Sequence, residues 1–115
     1  MNALPEPSSA EQALRAHAAQ ACALLKALAN EDRLLLLCAL GDSQKNVGEL
    51  ETLTGIVQPT LSQQLGVLRH EGLVETRKEG KYVYYRGRNG PAMRIMRALW
   101  EIYCAPQVSD QTEHV

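Results

Sequence analysis

Hydrophobic residues recur at three- and four-residue spacing through the first third of the chain, which predicts two consecutive helices. The first runs from residue 10 to about residue 29, with Ser9 as its cap. Its alanine-rich apolar stripe is wider than one small core requires, so we expect a second contact surface on this helix. Asn30 caps the second helix, and residues 34–40 are apolar on every side, which predicts a central and buried position.

Two shorter helices follow, separated by a four-residue turn at 55–58. The first of them, over residues 47–54, stops at Gly55 and has an apolar face of Val47, Leu50 and Leu53. The second, over residues 58–71, stops at Gly72 and has a buried stripe of Leu61, Leu65 and Leu68. Two short helices at this spacing are typical of a helix-turn-helix.

The hydrophobic period changes from 3.6 to 2 after residue 73, which predicts a β-hairpin that turns at Glu79 and Gly80. A last helix is expected from residue 91 to about residue 105, with more than half of its circumference apolar. The pattern predicts a mainly α fold with a small β-hairpin, a winged helix-turn-helix of five helices plus a wing over residues 9–105. Residues 1–8 are expected to be a disordered leader and residues 106–115 a flexible tail.

Length and composition narrow the class of protein. A chain of 115 residues is expected to form one domain. It has no run of 18 apolar residues and no basic, apolar start, so neither a membrane span nor a secretory signal is expected. Three scattered cysteines fit a reducing compartment, and we expect the cytoplasm. The spacings typical of metalloproteases, hydrolases and nucleotide enzymes are absent, so the chain is not expected to be an enzyme or to hold a cofactor.

The charge is unevenly distributed. The whole chain has a net charge of -1, but residues 58–90 contain six basic and three acidic side chains. Such a basic segment on an acidic body indicates a surface that faces a polyanion, although a solvated charged face is the plainer interpretation. Five basic residues are expected around the tip of the hairpin at Gly80, where they suit DNA phosphates or a minor groove: Arg77, Lys78, Lys81, Arg86 and Arg88.

The second helix of the motif exposes polar side chains that carry no charge. Amides can form paired hydrogen bonds with adenine, and hydroxyls can donate or accept at several base edges, so this face suits the major groove of DNA. Exposed helix faces usually favour glutamate and lysine, which makes groove reading the better interpretation here. The candidate base-reading residues are Gln58, Thr60, Ser62 and Gln63.

Three stretches together resemble the ArsR family of winged-helix repressors: LLKALANEDRLLLLCAL, VGEL and QPTLSQQLGVLRHEGLVETRKEGKYVYYR. The resemblance covers residues 24–105. It implies a homodimer that binds palindromic double-stranded operators as a transcriptional repressor. It also implies that Gln58, Thr60, Ser62 and Gln63 match DNA-reading positions and that the region of Lys81 matches the wing tip.

Within that family, the cysteines in LLLLCAL and LWEIYCA resemble those of the BigR and HlyU type. That subgroup implies that Cys38 and Cys104 form a redox-sensing pair, and that reactive sulfur species or an oxidant modifies them as inducer and releases the repressor from DNA. Either a direct disulfide or a bridge with extra sulfur atoms is open. Cys22 lies in an alanine stripe, so we expect it to be a small buried hydrophobic residue.

Two alternative functions remain open. A metal- or metalloid-sensing repressor is one, but the chain lacks a CxC pair at the start of its helix-turn-helix, and its last helix has no His or Asp. No metal site is therefore predicted, although three thiolates are competent ligands for soft metals. The other is a winged-helix module that binds protein instead of DNA.

Overall fold

The structure is a computed structural model that describes residues 7–106. It contains five helices and three strands, in the order α1 (Pro7–Leu28), α2 (Glu31–Leu40), β1 (Lys45–Asn46), α3 (Val47–Thr54), α4 (Thr60–His70), β2 (Val74–Glu79), β3 (Tyr82–Gly87) and α5 (Pro91–Tyr103). This order and the antiparallel hairpin confirm the predicted winged helix-turn-helix with five helices and a wing.

The first helix begins earlier than the sequence pattern indicated. Pro7 and Ser8 lie in α1 instead of in a leader. A proline suits the first helical turn because its missing N–H has no partner there. The rest of the predicted leader, residues 1–6, and residues 107–115 of the predicted tail lie outside the described residues.

Side-chain hydrogen bonds define two helix starts. The Asn30 side chain accepts the Arg33 N–H at 3.0 Å and so caps α2. A capping box begins α3, in which Asn46 accepts the Glu49 N–H and the Glu49 carboxylate accepts the Asn46 N–H, each at 2.9 Å. Gly55 ends α3 with a φ of 76°, which a side chain would disfavour.

The core is made of leucines from the helices around the motif. The fully buried side chains of α2 and α4 pack into one cluster with that of α3: Leu36, Leu37, Leu40, Leu50, Leu61, Leu65 and Leu68. This result confirms the predicted stripe on α4. The predicted face of α3 is only partly correct, because Leu53 is 59% exposed and Ile56, in the following turn, is buried in its place.

The second helix is not buried on every side. Leu36, Leu37 and Leu40 face the core, whereas Leu35 and Cys38 are exposed. Ten helical residues cannot all face one small core, so the opposite side of α2 remains open.

The wing is a three-stranded antiparallel sheet in the order β1-β3-β2. The hairpin turn lies at Gly80 and Lys81, one residue later than predicted, and Gly80 adopts a φ of 62°. The short strand β1 was not expected, because two residues are too few to show an alternating pattern. It pairs Lys45 with Tyr85 and Asn46 with Tyr84, which attaches the start of α3 to the wing.

Shortening a core leucine tests this packing. Leu65→Ala should lower the free energy of unfolding by about 2 to 5 kcal/mol, because it leaves a cavity between α4 and its neighbours. The control, Leu53→Ala, removes the same atoms from an exposed site and should change it by less than about 0.5 kcal/mol. Urea titration of both variants at one protein concentration measures the difference, and equal effects would contradict the assignment of the core.

Candidate DNA-binding surface and cysteine groove

One arginine links three helices at the base of the motif. The Arg33 guanidinium of α2 donates to the carbonyls of Ala27 and Lys26 in the last turn of α1, at 2.6 and 3.2 Å. It also donates to the Gln64 side-chain oxygen on α4 at 2.8 Å. Arg33 is partly buried, and its fork of donors matches three acceptors in fixed positions. It therefore holds the orientation of α4 relative to α1 and α2.

The helix α4 presents the uncharged polar face that the sequence predicted. Ser62 and Gln63 are exposed and Thr60 is half-buried. Gln58 lies just before the helix, where its side-chain oxygen accepts the Ser62 N–H at 3.1 Å. One of its acceptor sites is therefore used to cap α4, while its amide nitrogen remains available as a donor.

Two of the five predicted basic residues, Arg77 and Arg86, form ion pairs along one face of the hairpin. Arg77 donates to Glu79 at 3.1 Å and to Gln44 at 3.3 Å, and its guanidinium lies 5.7 Å from the Tyr84 ring. Arg86 pairs with Glu75 at 3.4 Å, close to the base of the hairpin. The prediction that Arg86 and Arg88 surround the tip was wrong, because the register places Arg86 opposite Glu75, five residues before Gly80, and Arg88 follows the end of β3.

The tip itself carries two lysines. Lys81 lies in the turn, with its ammonium 5.6 Å from the Tyr82 ring, and Lys78 lies two residues before Gly80. Both side chains are exposed. Within the described part of the chain, Lys78 and Lys81 have no carboxylate partner, so they keep a net positive charge at the tip.

A groove of about 700 Å³ separates the exposed side of α2 from α5. Cys38 of α2 and Cys104 at the end of α5 both line it, and both are free, exposed thiols. The structure thus brings the two predicted redox residues to one groove. Its other walls are mainly apolar and include Leu34, Leu35, Met93, Met96, Leu99, Trp100 and Tyr103.

Two predictions about the cysteines were wrong. Cys38 does not lie on a buried helix face, since the neighbouring Leu36, Leu37 and Leu40 occupy the core side of α2. Cys22 is exposed instead of buried and does not line the groove, because the part of α1 before residue 24 extends away from the core.

Sequence reasoning did not identify a cation near the cysteines. The structure places Arg97 in the lining of the same groove, together with the carboxylates of Glu31 and Asp42. A seven-residue separation corresponds to about two helical turns, so the spacing of Arg97 and Cys104 on one helix could have indicated their common face.

The described residues give no support to a metal centre or a membrane span. Among residues 7–106, no group of three or more His, Cys, Asp or Glu side chains is arranged to hold a metal ion. In the same range, no helix combines the length and the hydropathy needed to cross a bilayer.

Comparison with known proteins places the chain in a family. Residues 30–76 match the model for the bacterial regulatory proteins of the arsR family. The chain is 48% identical to the biofilm growth-associated repressor of Agrobacterium fabrum, over 83% of this chain and 81% of the relative. It is 42% identical to the transcriptional activator HlyU of Vibrio cholerae, over 81% and 86% of the two chains.

Solved structures agree with these relatives. The transcriptional repressor BigR from Xylella fastidiosa superposes with a TM-score of 0.78 at 45% identity, covering 84% of this chain and 98% of BigR. A homodimeric winged helix-turn-helix domain from Mycobacterium bovis superposes with a TM-score of 0.67 at 29% identity, covering 100% and 96%. The relatives are named as regulators of transcription, not as enzymes. The chain therefore belongs to the arsR family of bacterial regulatory proteins and is a transcriptional regulator of the BigR and HlyU type.

Proposed function

We propose that the protein is a homodimeric, operator-binding transcriptional repressor that leaves DNA when Cys38 and Cys104 are modified by reactive sulfur species or oxidants. One observation carries the proposal: both thiols line a single groove between α2 and α5. The same α2 carries Arg33, which holds the DNA-reading helix α4 through Gln64. The cysteine groove and the candidate DNA surface therefore share a structural element.

In the proposed complex with DNA, α4 contacts base edges and the wing contacts phosphates. The uncharged polar residues Ser62 and Gln63 suit base edges in the major groove. Lys78 and Lys81 at the wing tip suit phosphates, and Arg77 and Arg86 are held by carboxylates within the wing. In this arrangement α4 supplies specificity and the wing supplies affinity that does not depend on sequence.

The homodimer is supported by unpartnered apolar surface on one group of helices. Outside the cysteine groove, three large hydrophobic side chains of α1 and α5 are exposed: Leu14, Leu25 and Ile102. Exposed apolar surface of this kind favours a contact between subunits, and a two-fold axis through it would present two copies of α4 to the two halves of a palindrome.

The proposed switch is the oxidation of the two thiols to a bridge by a polysulfide or a peroxide. The thiolate of one cysteine attacks the sulfur next to the end of a polysulfide; a bond between the cysteine sulfur and the chain forms, the bond to the terminal sulfur breaks, and that sulfur leaves as hydrosulfide. The second thiolate attacks that chain and displaces another hydrosulfide, which closes the bridge. Both thiols lose a proton, and the inducer takes up the two electrons as sulfide. With peroxide the first product is a sulfenic acid, and the second thiol displaces water to form a disulfide.

A bridge across the groove would fix the distance between α2 and α5. Since α5 carries much of the exposed apolar surface and α2 holds α4 through Arg33, such a bridge changes the geometry between the dimer contact and the DNA-reading helix. A small rotation there misplaces both half-site contacts together.

Two substitutions separate base reading from phosphate binding. Gln63→Ala should weaken binding to a selected operator by about 1 to 3 kcal/mol and leave binding to random DNA unchanged, because it removes hydrogen bonds to a base edge. Lys81→Ala should weaken binding to both DNAs and reduce the salt slope by about one. Fluorescence anisotropy at several salt concentrations measures both effects.

Equal losses on operator and random DNA for Gln63→Ala would contradict base reading by α4. The absence of any salt-sensitive DNA binding by the unchanged protein would instead favour a module that binds protein.

A charge on the exposed surface of α5 tests the dimer. Ile102 is 64% exposed, so Ile102→Asp should leave the subunit folded but bury a carboxylate in the subunit contact. Sedimentation should change from a dimer to a monomer at micromolar concentration, and operator affinity should fall by more than tenfold because each subunit supplies one half-site. The control, Arg94→Asp, changes a side chain outside the exposed apolar set. A monomeric variant with full operator affinity would contradict the proposal.

The cysteine switch is tested by single substitutions. A polysulfide donor should weaken operator binding of the unchanged protein by about 1 to 3 kcal/mol, the usual range of allosteric coupling. Cys38→Ser and Cys104→Ser should each abolish this response, because a bridge needs both thiols. Cys22→Ser is the matched control and should respond normally, since Cys22 lies outside the groove. Release retained in both groove variants would overturn the dithiol switch and favour a metal-sensing repressor.

A further inference from the structure

An exposed valine lies beside the polar face of α4. Val57 lies in the turn between α3 and α4, and its side chain is 61% exposed. Its neighbour Ile56 is buried in the leucine core. The base-reading role proposed above uses only polar groups, so it leaves this apolar side chain without a function.

The turn holds Val57 in a fixed position. The Thr54 hydroxyl accepts the Ile56 N–H at 3.1 Å and donates to the Leu50 carbonyl at 2.7 Å. The Val57 carbonyl accepts the Leu61 N–H at 3.0 Å, which joins the turn to the first turn of α4. With Ile56 buried and the Val57 carbonyl bonded, the Val57 side chain is directed outward with little freedom left in its backbone.

We propose that Val57 recognises thymine, by packing against the C5-methyl group of one thymine in each half-site of the operator. The proposal rests on the operator binding proposed above and adds a readout that hydrogen bonds cannot supply. In the major groove the methyl group of thymine is the one apolar feature among donors and acceptors, and apolar side chains contact it. Val57 has a stiff, branched side chain and directly precedes Gln58, which bonds to the first turn of α4 through Ser62, so it is suited to this contact.

If Val57 contacts this methyl group, the protein should bind an operator with thymine at that position more tightly than one with deoxyuridine. Burying a methyl group is worth about fourfold in binding. Replacing the contacted thymine by deoxyuridine, which lacks only that group, should therefore weaken binding about fourfold for each half-site. In Val57→Ala the same replacement should change affinity by less than about 1.5-fold.

The experiment starts by selecting the operator from a pool of random DNA duplexes with the full chain. Each thymine of the selected duplex is then replaced by deoxyuridine, and affinity is measured for the unchanged protein, for Val57→Ala and for the control Val83→Ala. Val83 is an exposed valine of the wing, so its variant should keep the full effect of the replacement. Urea unfolding of Val57→Ala should match that of the unchanged protein, because the side chain is exposed.

Three results would overturn the proposal. In the first, replacing each thymine by deoxyuridine leaves the affinity of the unchanged protein the same at every position. In the second, the replacement weakens binding of Val57→Ala as much as that of the unchanged protein. In the third, Val83→Ala abolishes the effect as fully as Val57→Ala does. A failure of the operator-binding proposal looks different, because then no duplex is enriched and no binding is sensitive to salt.

Discussion

The packing of α2 against α4 determines what the rest of the molecule can do. Leu36, Leu37 and Leu40 of α2 are fully buried in the cluster that also takes in the leucine stripe of α4. This close-packed contact leaves α4 little freedom to move independently of α2. Arg33 adds a directional bond from α2 to Gln64, so the angle between the two helices is fixed as well as their distance. Any change in the position of α2 is therefore transmitted to the face of α4 that we propose reads DNA.

The same packing explains why the cysteine groove lies where it does. Only one side of α2 can face the core, so Leu35 and Cys38 are left on the other side, opposite α5. The thiol of Cys38 is thus attached to a rigid element but remains accessible, and Cys104 lies across the groove at the end of α5. The proposed thiol switch requires both properties, since a buried thiol would not meet an inducer and a thiol on a loose segment would not move a helix.

Much of the fold could be predicted from hydrophobic spacing, because helix periods and glycine stops are local properties. The ends of α2 and α3 and the leucines of α4 follow from Asn30, Gly41, Gly55 and the three-to-four spacing. Tertiary relationships could not be obtained in this way. The exposure of Cys38, the role of Ile56 in place of Leu53, and the strand β1 each depend on which surface a neighbouring element covers. For the same reason the pairing of Arg77 and Arg86 with carboxylates appears only in the register of the hairpin.

We propose that Cys38 and Cys104 react as a pair within one subunit. Mass spectrometry of proteolytic peptides tests it directly, after a mixture of isotopically light and heavy subunits has been treated with inorganic polysulfide. We expect a cross-linked peptide that joins Cys38 to Cys104 through two or more sulfur atoms, always light with light or heavy with heavy, and an unlinked Cys22. Links between light and heavy subunits, links to Cys22, or thiols that are modified only one at a time would contradict it.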